Sequence, residues 1–279
     1  SDKSTILNAI KNKNLILSKS IKTNILNEVF KKNILRKNII IKSASINSKK
    51  IDKNSIFIGV KGKKYDGNFY VDEAFRNGAN LSITNKKSSN TKNIYNKNPI
   101  NLFSTISSRY RKSLNSNTIA ITGSAGKTSV KELVGFCLNK LSKTYFSKNS
   151  FNNKYGVPLS IFNTPQETRF VVLEAGMDKK GEIDHLTNLI KPNLGLITNI
   201  SYAHIENFKN LNQIAEAKSE LINNIIPGGT LIINKDDKYF KYFSAKAKKK
   251  KLKVIFFSHK DKDANVVFLN QKKNKKNYI

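Results

Sequence analysis

The chain has 279 residues, enough for two domains of ordinary size, and carries 51 Lys and Arg against 19 Asp and Glu, a formal charge of +32. Its hydrophobic fraction of 38%, with 16 Phe and 10 Tyr, can build cores, and no apolar run approaches the ~20 residues that span a bilayer. The single cysteine, Cys137, excludes an internal disulfide and suits a reducing cytoplasm.

Residues 1 to 115 read as a first α/β domain. A helix-like stretch at Thr5–Ile10 is followed by polar, Lys/Asn-rich sequence and by strand candidates at Ile39–Ile41 and Ile56–Val60. A turn-rich segment from Lys61 to Gly67 comes next, then a helix at Val71–Asn77 closed by Gly78. Leu81–Thr84 reads as a strand, Asn85–Asn98 as a polar loop, Phe103–Leu114 as a helix, and Asn115 to Asn117 as a linker.

Residues 116 to 279 read as a second domain. Strands are predicted at Thr118–Thr122, Phe170–Glu174, Leu194–Ile200, Thr230–Ile233 and Lys253–Phe257, with a further one at Asn265–Leu269. Helices are predicted at Thr128–Leu141, Glu182–Ile190 and Leu211–Asn224. Near-continuous apolar strands alternating with helices imply a mostly parallel sheet, whose ligands bind beyond the carboxyl ends of the strands. Chemistry is therefore expected just after Thr122, Glu174 and Ile200.

The first of these edges carries the strongest signal. Gly123-Ser124-Ala125-Gly126-Lys127-Thr128-Ser129 lies between a buried strand and an amphipathic helix with apolar residues Val130, Leu133, Val134, Cys137, Leu138 and Leu141. On that stripe Cys137 is expected in the core. Such a turn presents free N–H groups at a helix N-terminus, which attracts anions. Lys127 adds a positive charge for terminal phosphates and the Thr128 hydroxyl suits Mg²⁺. A full Walker A pattern would have glycine where Ile121 stands, so the sequence keeps only TGxxGKT[ST] in a strand–turn–helix context.

Three more residues fall on the same edge. Glu174 ends its strand, where a carboxylate either holds a metal or caps a neighbouring helix. His204 follows the strand Leu194–Ile200 after a short turn, as a site residue or a structural imidazole. Lys218 sits in the middle of the apolar face Leu211, Ile214, Ala215, Leu221, Ile222 and Ile225. A lysine there reaches out to water, finds an anion, or loses its charge; the neutral amine can add CO₂ to give an anionic carbamate. The segment Ser147 to Asn153 is rich in amide donors near the phosphate loop and reads either as a substrate contact or as a plain turn.

The charge has two readings, an anionic partner or a composition tilted throughout toward Lys, Asn and Ile. The lysines are scattered, with a dense run only from Lys246 to Lys253, and neither a zinc pattern nor an aromatic–basic RNA pattern accompanies them. No nucleic acid is expected.

The segments TGSAGKTS, SFNNKYGVP, VVLEAGMDKKGEID, NISYAHIENF, IAEAKSEL and INKDD occur here in the order found in the Mur ligase family, which the chain resembles over about Ser43 to Ser258. The resemblance implies an N-terminal domain that binds a UDP-linked substrate and a central P-loop-type ATP-binding domain. It implies an ATP-driven amide ligation in peptidoglycan precursor synthesis, with UDP-muramoyl peptide and D-alanyl-D-alanine as substrates and an acyl phosphate between them. Carried over residue by residue, Gly123 to Ser129 bind ATP, Lys127 on its phosphates. Thr128 and Glu174 hold one Mg²⁺, and His204 and carbamylated Lys218 help hold a second. Asn149, Asn152 and Asn153 face the muramoyl peptide, and Asn234 and Asp236 lie near the nucleotide.

Ser48 and Lys49, after Asn47, match the family's usual Asp-Ser-Arg in the UDP-binding domain. Asn47 lacks the carboxylate, and Lys49 lacks arginine's bidentate fork. The family's C-terminal domain, which closes over ATP and brings in the amine, is expected to be absent from this sequence. Two other readings stay open: a nucleic-acid-dependent P-loop ATPase, which would want an acidic pair where Glu174 is followed by Ala175, and a non-catalytic nucleotide-sugar-binding module.

Overall fold

The computed structural model describes residues 20–30, 40–62, 64–147, 150–202 and 207–268, and the short paired segments 273–274 and 277–278. The predicted helix at Thr5–Ile10 lies outside the described residues, as do Ile39, Leu269 and the site candidates Asn149 and His204. The chain divides into two compact units, Ser1–Leu114 with Ile161–Asn163, and Asn115–Ser160 with Thr164–Ile279.

The first unit contains α1 (Ile21–Phe30), β1 (Ser43–Ser45), β2 (Ser55–Ile58), a 3-10 turn at Gly67–Phe69, α2 (Val71–Arg76), β3 (Ala79–Thr84), β4 (Asn93–Tyr95) and α3 (Pro99–Ser113). The strands form a parallel sheet in the order β1-β2-β3-β4. Ile56, Phe57, Ile58, Leu81 and Ile83 are fully enclosed between helices, as parallel strands covered on both faces must be. The α3 helix starts four residues before the predicted Phe103, because the Asn98 side chain accepts from Asn101 N at 3.4 Å and Pro99 takes the first turn. Its face of Phe103, Ile106 and Tyr110 is buried, and Phe162 stacks edge-on against Phe103 at 5.4 Å.

Two expectations in this unit are corrected, and one helix is new. Of the predicted strand Ile39–Ile41, the described residues Ile40 and Ile41 lie outside any strand: pairing starts at Ser43, while Ile41 serves as a buried plug. The predicted loop Asn85–Asn98 contains β4, a polar edge strand whose Asn93 carboxamide takes the Ser82 hydroxyl at 2.7 Å. The Lys/Asn-rich stretch before residue 39 contains α1.

The second unit is a parallel sheet in the order β11-β10-β9-β8-β5-β7-β6. In chain order its elements are β5 (Asn117–Thr122), α4 (Lys127–Leu141), β6 (Thr144–Phe146), α5 (Gly156–Asn163), β7 (Phe170–Glu174), α6 (Glu182–Ile190), β8 (Leu194–Ile197), α7 (Leu211–Lys218), α8 (Glu220–Asn224), β9 (Thr230–Asn234), α9 (Phe240–Lys249), β10 (Lys253–Ser258) and β11 (Val266–Val267). The last three residues of α5 belong to the first unit. The α/β reading with a parallel sheet holds. β5 lies between β7 and β8, so the chain leaves its tip toward one side and later returns on the other. That is a topological switch point, where open parallel sheets bind ligands.

The sequence did not disclose β6, α5 or α9. β8 ends at Ile197 rather than Ile200. The predicted helix Leu211–Asn224 is interrupted at Ser219, whose hydroxyl bonds to Glu216 O at 2.6 Å. The largest correction concerns α4. Its buried positions are Lys131 and Gly135, while Leu133 and Leu141 are 64% and 78% exposed and Cys137 is exposed rather than in the core. Gly135 lets the helix close onto Phe146: a Cβ there would lie 2.5 Å from the ring.

Candidate functional site

The turn between β5 and α4 is held by the residues that follow β8. Ser124 N donates to Asn199 O at 2.9 Å, Ala125 N to Asn199 Oδ1 at 3.1 Å, and Thr198 Oγ1 to Ala125 O at 2.7 Å. Ser124 Oγ also donates to Ser201 O, and Ser201 N donates back to Ser124 Oγ, both at 2.9 Å. Two glycines make the path possible. Gly126 has φ of 76°, where side chains are disfavoured, and a Cβ on Gly123 would lie 1.8 Å from Thr198 Oγ1. Gly126 then hands the chain to α4, whose first turn contains Lys127, Thr128 and the exposed Ser129.

Two lysines converge behind this turn. Lys127 Nζ and Lys218 Nζ each donate to Gly123 O at 2.9 Å, one from the start of α4 and the other from the end of α7. Lys218 is 2% exposed, and burial, reinforced by the Lys127 charge, brings its pKa down to about 7. Burial also lowers Lys127, with Glu174 opposing the shift. Two ammonium groups on one carbonyl form a locally positive, partly dehydrated pocket, which favours an anion or the loss of one proton.

Glu174 ends β7 on the other side of β5 and is buried. It accepts from Thr128 Oγ1 on Oε2 and from Asn152 Nδ2 on Oε1, both at 2.8 Å. Asn152 belongs to the segment leading into α5, and its carbonyl takes Gly176 N at 2.8 Å. Asn153 turns away from this cluster; its Oδ1 accepts from Tyr155 N and Gly156 N, both at 3.0 Å, as a cap on α5.

The other predicted residues lie elsewhere. Asn234 is the last residue of β9 and Asp236 follows it; Asp236 Oδ1 takes the Ser258 hydroxyl at 2.5 Å and Oδ2 takes His259 N at 2.7 Å. Those bonds hold the carboxyl of Asp236 below its usual range, Ser258 first, and commit it to the β9–β10 turn. The neighbour Asp237 is the one that reaches the segment after β8, accepting from Ile200 N at 2.9 Å. In the first unit, the Ser48 hydroxyl donates to Glu73 Oε2 and the exposed Lys49 donates its backbone N–H to Asn47 Oδ1 at 3.0 Å.

The geometry thus brings together Gly123, Lys127, Thr128, Asn152, Glu174 and Lys218. Sequence reasoning missed Thr198, Asn199 and Lys131. The signal for the first two was a polar Thr-Asn pair closing an apolar strand.

Residues 121–279 match the family model described as the Mur ligase middle domain. The UDP-N-acetylmuramoyl-tripeptide--D-alanyl-D-alanine ligase of Buchnera aphidicola subsp. Acyrthosiphon pisum is 34% identical over 218 residues, 78% of this chain and 48% of that protein. The enzyme of the same name from Borreliella burgdorferi is 31% identical over 260 residues, 87% of this chain and 54% of that one. Among solved structures, the MurF ligase of Thermotoga maritima in complex with ADP has a TM-score of 0.76 at 25% identity, over 87% of this chain and 56% of that chain. MurF from Acinetobacter baumannii has a TM-score of 0.78 at 24% identity, over 90% and 55%, a likeness of fold. The chain spans about half the length of the curated relatives it matches.

Proposed function

Because this chain belongs to the Mur ligase family, we propose that it takes part in an ATP-driven amide ligation of peptidoglycan precursor synthesis, joining D-alanyl-D-alanine to a UDP-N-acetylmuramoyl tripeptide in the cytoplasm. The names of its relatives support the substrate pair. The observation that carries the reading is the Thr128–Glu174 pair at 2.8 Å beside two lysines on Gly123 O. No helix among the described residues is long and apolar enough to cross a membrane.

A carboxylate is a poor acyl donor because oxide is a poor leaving group. Transfer of the γ-phosphoryl group from ATP to the tripeptide carboxylate gives an acyl phosphate and ADP. The amine of D-alanyl-D-alanine then forms the C–N bond, loses a proton, and releases phosphate. The turn from Gly123 to Ser129 would cradle the nucleotide phosphates at the α4 N-terminus, and Lys127 would leave Gly123 O to meet them. Asn152 would hold Glu174 in place and address the muramoyl peptide with the rest of its loop. Asn149 and His204 keep the roles implied by the resemblance, and Asn153, Ser48, Lys49, Asn234 and Asp236 are the weaker members of that set.

The donor set fits Mg²⁺. Thr128 and Glu174 supply hard oxygens 2.8 Å apart, close to the ~3 Å between neighbouring ligands of an octahedral ion with bonds of about 2.1 Å. Among the described residues no cluster of three or more His, Cys, Asp or Glu could hold a metal. When bound, Mg²⁺ would neutralise charge on the phosphates. Lys218 is the residue suited to carbamylation, since its amine is partly neutral near pH 7. CO₂ would add to Nζ, a proton would leave, and the new carboxylate would face the same pocket.

The test is phosphate release by the protein with ATP, Mg²⁺, UDP-muramoyl tripeptide and D-alanyl-D-alanine. Release that requires both acceptor substrates is expected. Hydrolysis that ignores them, or that DNA or RNA stimulates with a steep salt dependence, would overturn the proposal. Within the basic run, Lys246 Nζ binds Ser219 Oγ at 2.9 Å and Lys250 Nζ binds Ile222 O and Ile225 O at 3.2 Å, while Lys248, Lys249, Lys251 and Lys253 are exposed, so the nucleic-acid reading rests on the salt test.

A further inference from the structure

Among the contacts around the turn from Gly123 to Ser129, one peptide unit is gripped from both sides. The Asn199 carbonyl accepts from Ser124 N at 2.9 Å, and the N–H of the same peptide, on Ile200, donates to Asp237 Oδ2 at 2.9 Å. A trans peptide unit is planar, so its N–H and C=O point in opposite directions and rotate together. Fixing the N–H on a carboxylate therefore fixes where the carbonyl meets the turn. The carboxylate also polarises the unit, which makes the Asn199 oxygen a better acceptor.

The residues on either side of this peptide bond are tied to the turn as well. Asn199 Oδ1 accepts from Ala125 N at 3.1 Å, and Ser201 N donates to Ser124 Oγ at 2.9 Å. With Ser124 and Ala125 turned toward residue 199, phosphates would meet the N–H groups of the first α4 turn, Lys127 to Ser129, which have no acceptor within the helix.

Asp237 Oδ1 accepts from Tyr239 N at 2.8 Å, just before α9. That local bond needs one oxygen, and asparagine or serine would supply it. The second oxygen is the one that reaches Ile200. Asp237 follows β9, the turn follows β5, and β8 lies between them in the sheet. Through this carboxylate the end of β9 steadies the end of β5.

We propose that Asp237 is a positioning residue for phosphate binding: through the Asn199–Ile200 peptide it sets Ser124, and with it the N-terminus of α4. This rests on the reading of the turn as a nucleotide site. Asp237 acts on the phosphates only through that peptide and contacts neither the base nor the ribose.

Calorimetry with Mg²⁺ and either inorganic triphosphate or ADP, on the wild-type protein, Asp237→Asn and Asp237→Ser, tests it. Both variants keep an oxygen for Tyr239 N; asparagine turns an amide toward the Ile200 N–H, and serine has no second oxygen to reach it. Each variant should weaken triphosphate and ADP by the same factor, about ten-fold, the order expected for one lost bond to a charged group. Affinities within about two-fold of wild type for both ligands would leave Asp237 a local brace of α9 and overturn the proposal. Loss of ADP affinity with triphosphate binding unchanged would also overturn it, because Asp237 would then contact the nucleoside. If neither variant folds, amide hydrogen exchange on the wild type decides: triphosphate with Mg²⁺ should slow exchange at Ile200 together with Ser124, and unchanged exchange at Ile200 refutes the linkage. A wild-type protein that binds neither triphosphate nor ADP refutes the nucleotide reading itself, a result distinct from phosphate binding that ignores Asp237.

Discussion

Replacing Lys218 by methionine probes the electrostatics at the centre of the site. The side chain is 2% exposed and bonds to Gly123 O at 2.9 Å, and burial with help from Lys127 moves its pKa from 10.5 to about 7. At pH 7 about half of these amines are neutral, against roughly one in three thousand for a lysine in water. Below pH 7 the folded chain encloses an ammonium that the unfolded chain keeps in water, so the full cost is present. Between about 7 and 10.5 the unfolded chain binds a proton that the folded chain lacks, so stability rises with pH. Above that window both states are neutral and the cost is gone.

The full difference corresponds to on the order of 4 to 5 kcal/mol, a large part of the stability of an ordinary domain. Lys218→Met keeps the stem and removes the titration. At pH 7 the variant should be the more stable protein by up to several kcal/mol, and the gap should close as the pH approaches 10. Urea unfolding at several pH values measures it, with the difference between the two proteins removing the titration of all other groups except the neighbouring Lys127. A gap that does not change with pH would refute the reasoning. The same pair of proteins tests the carbamate. With ¹³C-labelled bicarbonate, wild type should give a carbamate resonance that Lys218→Met lacks, and bicarbonate should restore ligation to CO₂-depleted wild type only.

Glu174→Gln should weaken ADP binding in the presence of Mg²⁺ by about ten-fold or more and leave metal-free binding nearly unchanged, as read by calorimetry; an equal loss in both conditions would make Glu174 a scaffold residue. Gly123→Ala should cost about 2 to 4 kcal/mol, because its Cβ would lie 1.8 Å from Thr198 Oγ1, whereas Gly126→Ala meets no atom within 4 Å and should cost about 1 kcal/mol for its φ alone. Parallel thermal unfolding of the two variants checks the order. Leu141→Lys, on the exposed face of α4, should change stability by no more than about 0.5 kcal/mol; a loss above about 2 kcal/mol would mean that this face is covered.

The parts of the site that could be read from the sequence are those where local chemistry and tertiary packing agree. β5 and β7 are buried on both faces, so they appear as unbroken apolar runs, and the glycines and Lys-Thr pair between β5 and α4 have few other uses. Lys218 was conspicuous for the opposite reason: the apolar residues around it on α7 and α8 fix the buried face correctly, and one charge stands inside it.

α4 broke that logic. Its stripe of Val130, Leu133, Cys137 and Leu141 marks a face rotated from the buried one, because the contact with Phe146 is made by a glycine and the adjoining inner position is a lysine with a carbonyl to bind. Hydropathy cannot see either residue, one having no side chain and the other counted as polar. The same test that singled out Lys218 therefore passed over Lys131, although both are buried cations bonded to main-chain carbonyls of this site. A buried charge is visible in a sequence only when its neighbours phase the helix. Where a glycine sets the contact, the cation and the packing face are lost together, and the side chains that organise the site must be found from the carbonyls they hold.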